Sequence, residues 1–184
     1  MKKLLLALLL TLAVPAAASG SVLDAKLAGT DGKTLSIRER MSGKRFVLLT
    51  FFSATCPCQS LHDPRIRALH EAYGDRVEIL VIDPEAHSTL EKDREEAKAR
   101  GYPFPILSDP DGAVADALGA RFATWTAILD ADGNVLYRGG WDTDRTRLTD
   151  DASQWVRDAV AKVLAGAKPE PAETKAFGCY LRRR

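Results

Sequence analysis

Cysteine is scarce in this chain, three residues in 184, and so is histidine, also three. Three cysteines do not make a fold stapled by many disulfides, and the odd number leaves at least one thiol over in any monomeric state. Net charge is missing as well. The 26 basic and 25 acidic residues nearly cancel, and without Lys2 and Lys3 the balance is 24 against 25. Such neutrality excludes a global basic field for nucleic acid or an anionic membrane. The closing Arg182, Arg183 and Arg184 are a local exception, read as a solvated terminus. Internal repeats, low-complexity blocks and any haem or flavin signature are lacking too. One long, largely apolar run, Leu4 to Val14, stands at an end of the chain, and it is too short to span a bilayer as a retained helix.

That run has a different meaning in its context. Lys2 and Lys3 precede it, and small residues ending in Ala16, Ala17 and Ala18 follow it. A basic start, an apolar middle and an Ala-x-Ala end form a secretory signal peptide over residues 1–18. No cysteine lies near the cleavage point, so a stable membrane anchor is not expected. The expected location is periplasmic or secreted, where disulfides persist. Residues 19–165 are enough for one domain with a proper core, and residues 166–184 form a polar, proline-containing tail that carries Cys179. The tail is expected to be loosely attached.

Within the domain, Phe46 to Phe52 reads as a buried strand, Pro57 to Tyr73 as a helix stopped by Gly74, and Val77 to Asp83 as a second buried strand. The charged stretch Glu85 to Arg100 predicts a helix, and a proline-rich connector leads to a short helix at Ala113 to Leu118. Thr126 onward predicts a hairpin turning at an Asp-Gly, and Ala152 to Leu164 an amphipathic helix. Strand and helix alternate, which predicts an α/β fold, a central mixed sheet flanked by helices.

The chemistry concentrates in Cys56-Pro57-Cys58, between the first strand and its helix. A thiol at a helix start meets unpaired backbone N–H groups and the positive end of the helix dipole. Both favour thiolate, the nucleophilic form. Cys56 is best placed for this, on what is expected to be an exposed rim. Pro57 suits the first helical position because its missing N–H is not needed there. Phe46, Phe51, Phe52 and Tyr73 are expected in the core.

A strand running into Cys-Pro at a helix start, with Pro64 further along the helix, resembles the thioredoxin superfamily. The lead-in Leu27 to Phe52, the stretch Phe104 to Ala120 and the hairpin resemble its exported redoxin branch of the AhpC/TSA type. The resemblance implies a thioredoxin-like fold and a thiol–disulfide oxidoreductase with Cys56 as nucleophile. Cys58 or Cys179 then resolves the mixed disulfide, and a protein disulfide or thiol is the substrate. No cofactor is implied.

The chain departs from the pattern at three points. Gln59 stands where the second cysteine of a Cys-x-x-Cys pair belongs. Thr124, beside Trp125, replaces the family's cis-proline in the loop facing the active site, so a trans bond is expected there. The peroxiredoxin pattern Pro-x-x-x-Thr-x-x-Cys fails from either cysteine, which disfavours a dedicated peroxidase; Arg121 is a weak substitute for that family's arginine. Thiol peroxidase remains the enzymatic alternative. A Cu(I)-binding metallochaperone is the non-enzymatic one, with Cys56, Cys58 and His87 as the ligands. His62 and His70 sit on the helix itself.

Overall fold

A computed structural model describes residues 21–183; the expected signal peptide lies outside them. The strands are β1 (Lys26–Gly29), β2 (Thr34–Ser36), β3 (Phe46–Phe51), β4 (Val77–Asp83), β5 (Ile106–Ser108), β6 (Thr126–Asp130) and β7 (Val135–Gly139). The helices are α1 (Ile37–Met41), α2 (Pro57–Tyr73), α3 (Leu90–Ala99), α4 (Ala113–Leu118) and α5 (Trp155–Leu164). Seven strands form one sheet in the order β2-β1-β5-β4-β3-β6-β7. The central β3 pairs in parallel with β4 and antiparallel with β6. The sheet is therefore mixed, and the α/β expectation holds.

All six residues of β3 are buried, and their side chains alternate between the two faces. Val47, Leu49 and Phe51 point to the face that also holds Ile37 of α1 and Leu118 of α4. Phe46 and Leu48 point to the face covered by α2 and α5, with Ile66, Leu69, Val156 and Val160. Each large apolar side chain so buried contributes about 1.5–3 kcal/mol. Thr50, on the second face, is polar and satisfied: it lies 3.0 Å from Thr126 Oγ1 and accepts the Trp141 indole N–H at 3.0 Å.

Three departures from the sequence reading have local causes. Helix α3 starts at Leu90 rather than near Glu85. Asp83 Oδ1 accepts the Glu85 amide and Thr89 Oγ1 caps Lys92, so the chain turns before it coils. Helix α5 starts at Trp155, because the preceding Ser153 amide is engaged by Thr143 Oγ1. The tail is not loosely attached. Arg138 and Glu173 form a parallel bridge beside β7, Phe122 and Tyr180 form an antiparallel one, and Ala176 and Leu181 are buried in the core.

Candidate active site

Phe51 ends β3, and a turn follows in which the Cys56 amide donates to the Ser53 carbonyl at 3.1 Å. Cys56 is the N-cap of α2 and Pro57 its first residue. The Cys56 carbonyl receives the amides of Gln59 and Ser60. Its sulfur thus stands at the positive end of a 17-residue helix.

The expectation of an exposed rim does not hold, because Cys56 is only 1% exposed. The tail lies over it. The Cys179 amide donates to Cys56 Sγ at 3.3 Å, which seats this part of the tail directly on the sulfur. Cys58 is partly buried, and its thiol donates to the Arg145 carbonyl at 3.7 Å. All three cysteines are free thiols gathered around one sulfur. Burial pushes Cys179 up to about 12, helped by its hydrogen bond to Cys56 and the charge there. Burial also pushes Cys58 up, again with the Cys56 charge adding to it. A charge on the central sulfur disfavours ionisation of its two neighbours.

The tail is fixed on both sides of Cys179. Ala123 donates to the Cys179 carbonyl at 2.9 Å, and Leu181 to the Arg121 carbonyl at 3.0 Å. Upstream, Thr124 Oγ1 donates to the Phe177 carbonyl at 2.8 Å, and the Arg145 guanidinium lies 3.9 Å from the Phe177 ring centre. Downstream, Arg182 is paired with Glu85 and donates to Thr55 Oγ1, its carbonyl receives the Ala86 amide, and Arg183 is paired with Asp116.

Thr124 is buried and sits at φ 70, in the left-handed region that a β-branched residue rarely adopts. Its amide donates to the Phe51 carbonyl at 2.7 Å, which ties the loop to the end of β3. The only cis bond among the described residues is Glu170-Pro171, so the bond before Thr124 is trans. Trp125 is buried against Phe51, ring centres 5.8 Å apart, beneath the site rather than along an open groove.

Below the cysteine turn lie two buried polar clusters that the sequence reading missed. Gln59 and Asp63 point inward from α2 and meet Tyr102 and Arg100. The Tyr102 hydroxyl donates to Asp63, while Arg100 donates to the Ala54 carbonyl at 2.9 Å and so braces the turn that presents Cys56. Burial, then the hydrogen bond and charge of Asp63, hold the Tyr102 hydroxyl well above its ordinary value. The second cluster joins α2 to the loop after β7. His62 Nδ1 lies 2.7 Å from the Cys58 carbonyl and Nε2 lies 3.1 Å from Asp142. Both neighbours accept, so both ring nitrogens carry protons. Burial is the largest single influence and opposes that charge, but the Asp142 hydrogen bond, the Cys58 carbonyl and the Asp142 charge together outweigh it and raise His62. Arg65 binds Asp142 and Asp144. The available signal was spacing: Gln59, His62 and Asp63 share the buried face of α2 with Ile66 and Leu69.

His87 is exposed, in the turn before α3. Among the described residues no group of three or more His, Cys, Asp or Glu side chains is arranged to hold a metal ion, so Cys56, Cys58 and His87 do not form a clamp.

No curated protein sequence matches the chain. Its structure is similar to a hypothetical protein of Sinorhizobium meliloti, at 25% identity and a TM-score of 0.79 over 89% of this chain and 93% of that one. It is also similar to a secreted Mycobacterium tuberculosis disulfide oxidoreductase homologous to Escherichia coli DsbE, at 14% identity and a TM-score of 0.58, covering 78% of this chain and 96% of that one. A third likeness is to the peroxidoxin BcpB of Mycobacterium tuberculosis, at 22% identity and a TM-score of 0.54, covering 64% and 80%. These likenesses place the fold among the thioredoxin-like proteins. The family model for Redoxin matches residues 14–153, and with that match over most of its length the chain belongs to the redoxin family.

Proposed function

We propose that this redoxin is an exported thiol–disulfide oxidoreductase in which Cys56 is the nucleophile and Cys179 the resolving thiol. The observation that carries this reading is the registration of Cys179 on the Cys56 sulfur through its backbone amide. The Cys56 thiolate attacks one sulfur of a substrate protein disulfide. A bond from Cys56 to that sulfur forms, the substrate S–S bond breaks, and the departing sulfur leaves as thiolate and takes a proton. Cys56 has then lost its charge, which removes one of the causes that kept Cys179 protonated. Cys179 gives up its proton and attacks Cys56, forming a Cys56–Cys179 disulfide and releasing the second substrate thiol. Two electrons have passed from the enzyme to the substrate, and an external dithiol must restore them. Cys58 is the competing resolver, but its thiol is directed at the Arg145 carbonyl and no backbone bond seats it on the Cys56 sulfur.

A non-reducing peptide map of the oxidised protein, with free thiols alkylated, tests the pairing. A Cys56–Cys179 bridge is expected; a Cys56–Cys58 bridge would transfer the resolving role to Cys58. Cys56→Ser should abolish reduction of a protein disulfide with dithiothreitol as electron donor, and retained turnover would remove Cys56 as nucleophile. Export rests on the apolar, lysine-led start of the chain. It is checked by N-terminal sequencing of periplasmic protein, which should begin near Ser19.

Peroxide reduction by the same thiol is the second reading. A 1% exposed sulfur under a docked tail is more accessible to a small oxidant than to a protein. Peroxide consumption that depends on Cys56, without any disulfide reductase turnover, would favour it.

A further inference from the structure

The segment Phe177 to Leu181 does more than deliver a cysteine. It runs antiparallel to Arg121–Ala123 through Ala123 N–H to Cys179 O at 2.9 Å and Leu181 N–H to Arg121 O at 3.0 Å. Just before the first of these contacts the Cys179 amide reaches Cys56 Sγ. An incoming polypeptide that puts its own cysteine on Cys56 through the same backbone contacts needs the same space, and two strands do not fit. Resting on the thiol–disulfide reading, the geometry points to the tail being a tethered pseudosubstrate: it closes the groove, and its sequence records what the groove accepts. That ligand is an extended polypeptide with an aromatic residue two positions before its cysteine and a glycine immediately before it.

Each position has a physical reason. At Gly178 an added Cβ would run into the Ala123 carbonyl oxygen and lie 3.4 Å from Thr124 Oγ1, so a side chain there lifts the strand off the loop. Phe177 lies under the Arg145 guanidinium at 3.9 Å, with Lys175 Nζ 5.4 Å from the ring centre, a cation-lined place for an aromatic face. Tyr180 is 72% exposed yet stacks on Phe122 with ring centres 4.6 Å apart, which makes this subsite permissive. Beyond the paired residues, Arg182 on Glu85 and Arg183 on Asp116 are surface ion pairs that latch the strand shut.

The test uses the full chain in reduced form. Cys56 labelling by a bulky maleimide, followed by peptide mass spectrometry, should be slow in the wild type and at least tenfold faster in Gly178→Ala and in Arg182→Ala. Thermal melts confirm that each variant is folded, and the second variant decides if the first is not. A fluorescent nine-residue peptide, Lys-Ala-Phe-Gly-Ser-Tyr-Leu-Arg-Arg, should then bind the opened variant at least tenfold more tightly than the wild type. The same peptide with alanine for glycine should bind neither. Equal labelling rates in all three proteins would overturn the closed groove. Equal binding of the two peptides, or binding of neither to the opened variant, would overturn the pseudosubstrate. Neither readout uses turnover, so loss of reductase activity alone would count against the proposed reaction and not against the strand.

Discussion

The charge that Cys56 would carry as a thiolate and the left-handed backbone of Thr124 are single-residue features that lie against the tail. Removing the charge should lower the Cys179 thiol from its present value of about 12, since burial remains but the Cys56 charge and hydrogen bond go. Thiolate absorbance against pH, compared between wild type and Cys56→Ser with Cys58 replaced in both, reads this directly. An unchanged Cys179 titration would show that the two sulfurs are not coupled. Thr124 at φ 70 costs about 1–3 kcal/mol, against which its hydroxyl bond to the Phe177 carbonyl contributes about 1 kcal/mol. Thr124→Val keeps the shape and loses that bond. Urea unfolding should show a loss of about 1 kcal/mol, and no loss would mean the hydroxyl does not hold the tail.

At the scale of elements, what the sequence made legible depends on how each element is specified. Helix α2 over Pro57–Tyr73 and strand β4 over Val77–Asp83 match the sequence reading at both ends, because a Cys-Pro start, a glycine stop and a continuous apolar run are strong local signals. Strand β5, three residues inside the proline-rich connector, carried no such signal; it exists because β4 and β1 pair with it from either side. Cys56 at the helix start was legible and its burial was not, since the covering strand is held by hydrogen bonds to residues more than 50 positions away in sequence. The braces under α2 were hidden because polar residues on a core-facing stripe look like solvent-facing ones until their partners are known.

Those braces carry their own prediction. Asp63 and Arg100 are both largely buried, so Arg100→Ala leaves a carboxylate without its cation and should cost about 3–5 kcal/mol in urea unfolding. A loss below about 1 kcal/mol would mean the pair is screened by water. A second buried pair joins β4 to α3, where Asp83 and Asp93 are both buried and Asp93 raises the cost of ionising Asp83. Burial, then the Asp93 charge, pushes Asp83 up to about 8 from an ordinary 3.8. The folded protein therefore holds a proton that the unfolded chain releases near 3.8, and stability falls as pH rises from there through about 8. Unfolding free energies measured across that range should decline in the wild type and flatten in Asp83→Asn; parallel curves would show that Asp83 ionises normally in the fold.

For the whole molecule, the distance along the chain between Cys56 and Cys179 is the feature with the widest reach. Cys56 and Cys179 stand 123 residues apart in sequence yet share a hydrogen bond. A covalent bond between them would cross-link most of the domain and restrict its unfolded ensemble by about 5 kcal/mol, whereas a Cys56–Cys58 ring would restrict almost nothing. At about 2–4 °C per kcal/mol for a chain of this size, the oxidised protein should melt on the order of 10 °C above the reduced one. Calorimetry of the two forms would measure this, and coincident melting would rule out the long cross-link. The same free energy enters the redox equilibrium, because whatever the bond adds to the fold must be returned when the bond is reduced. Heat resistance and reluctance to accept electrons would then be one quantity, and a thermometer would report the redox state of the enzyme.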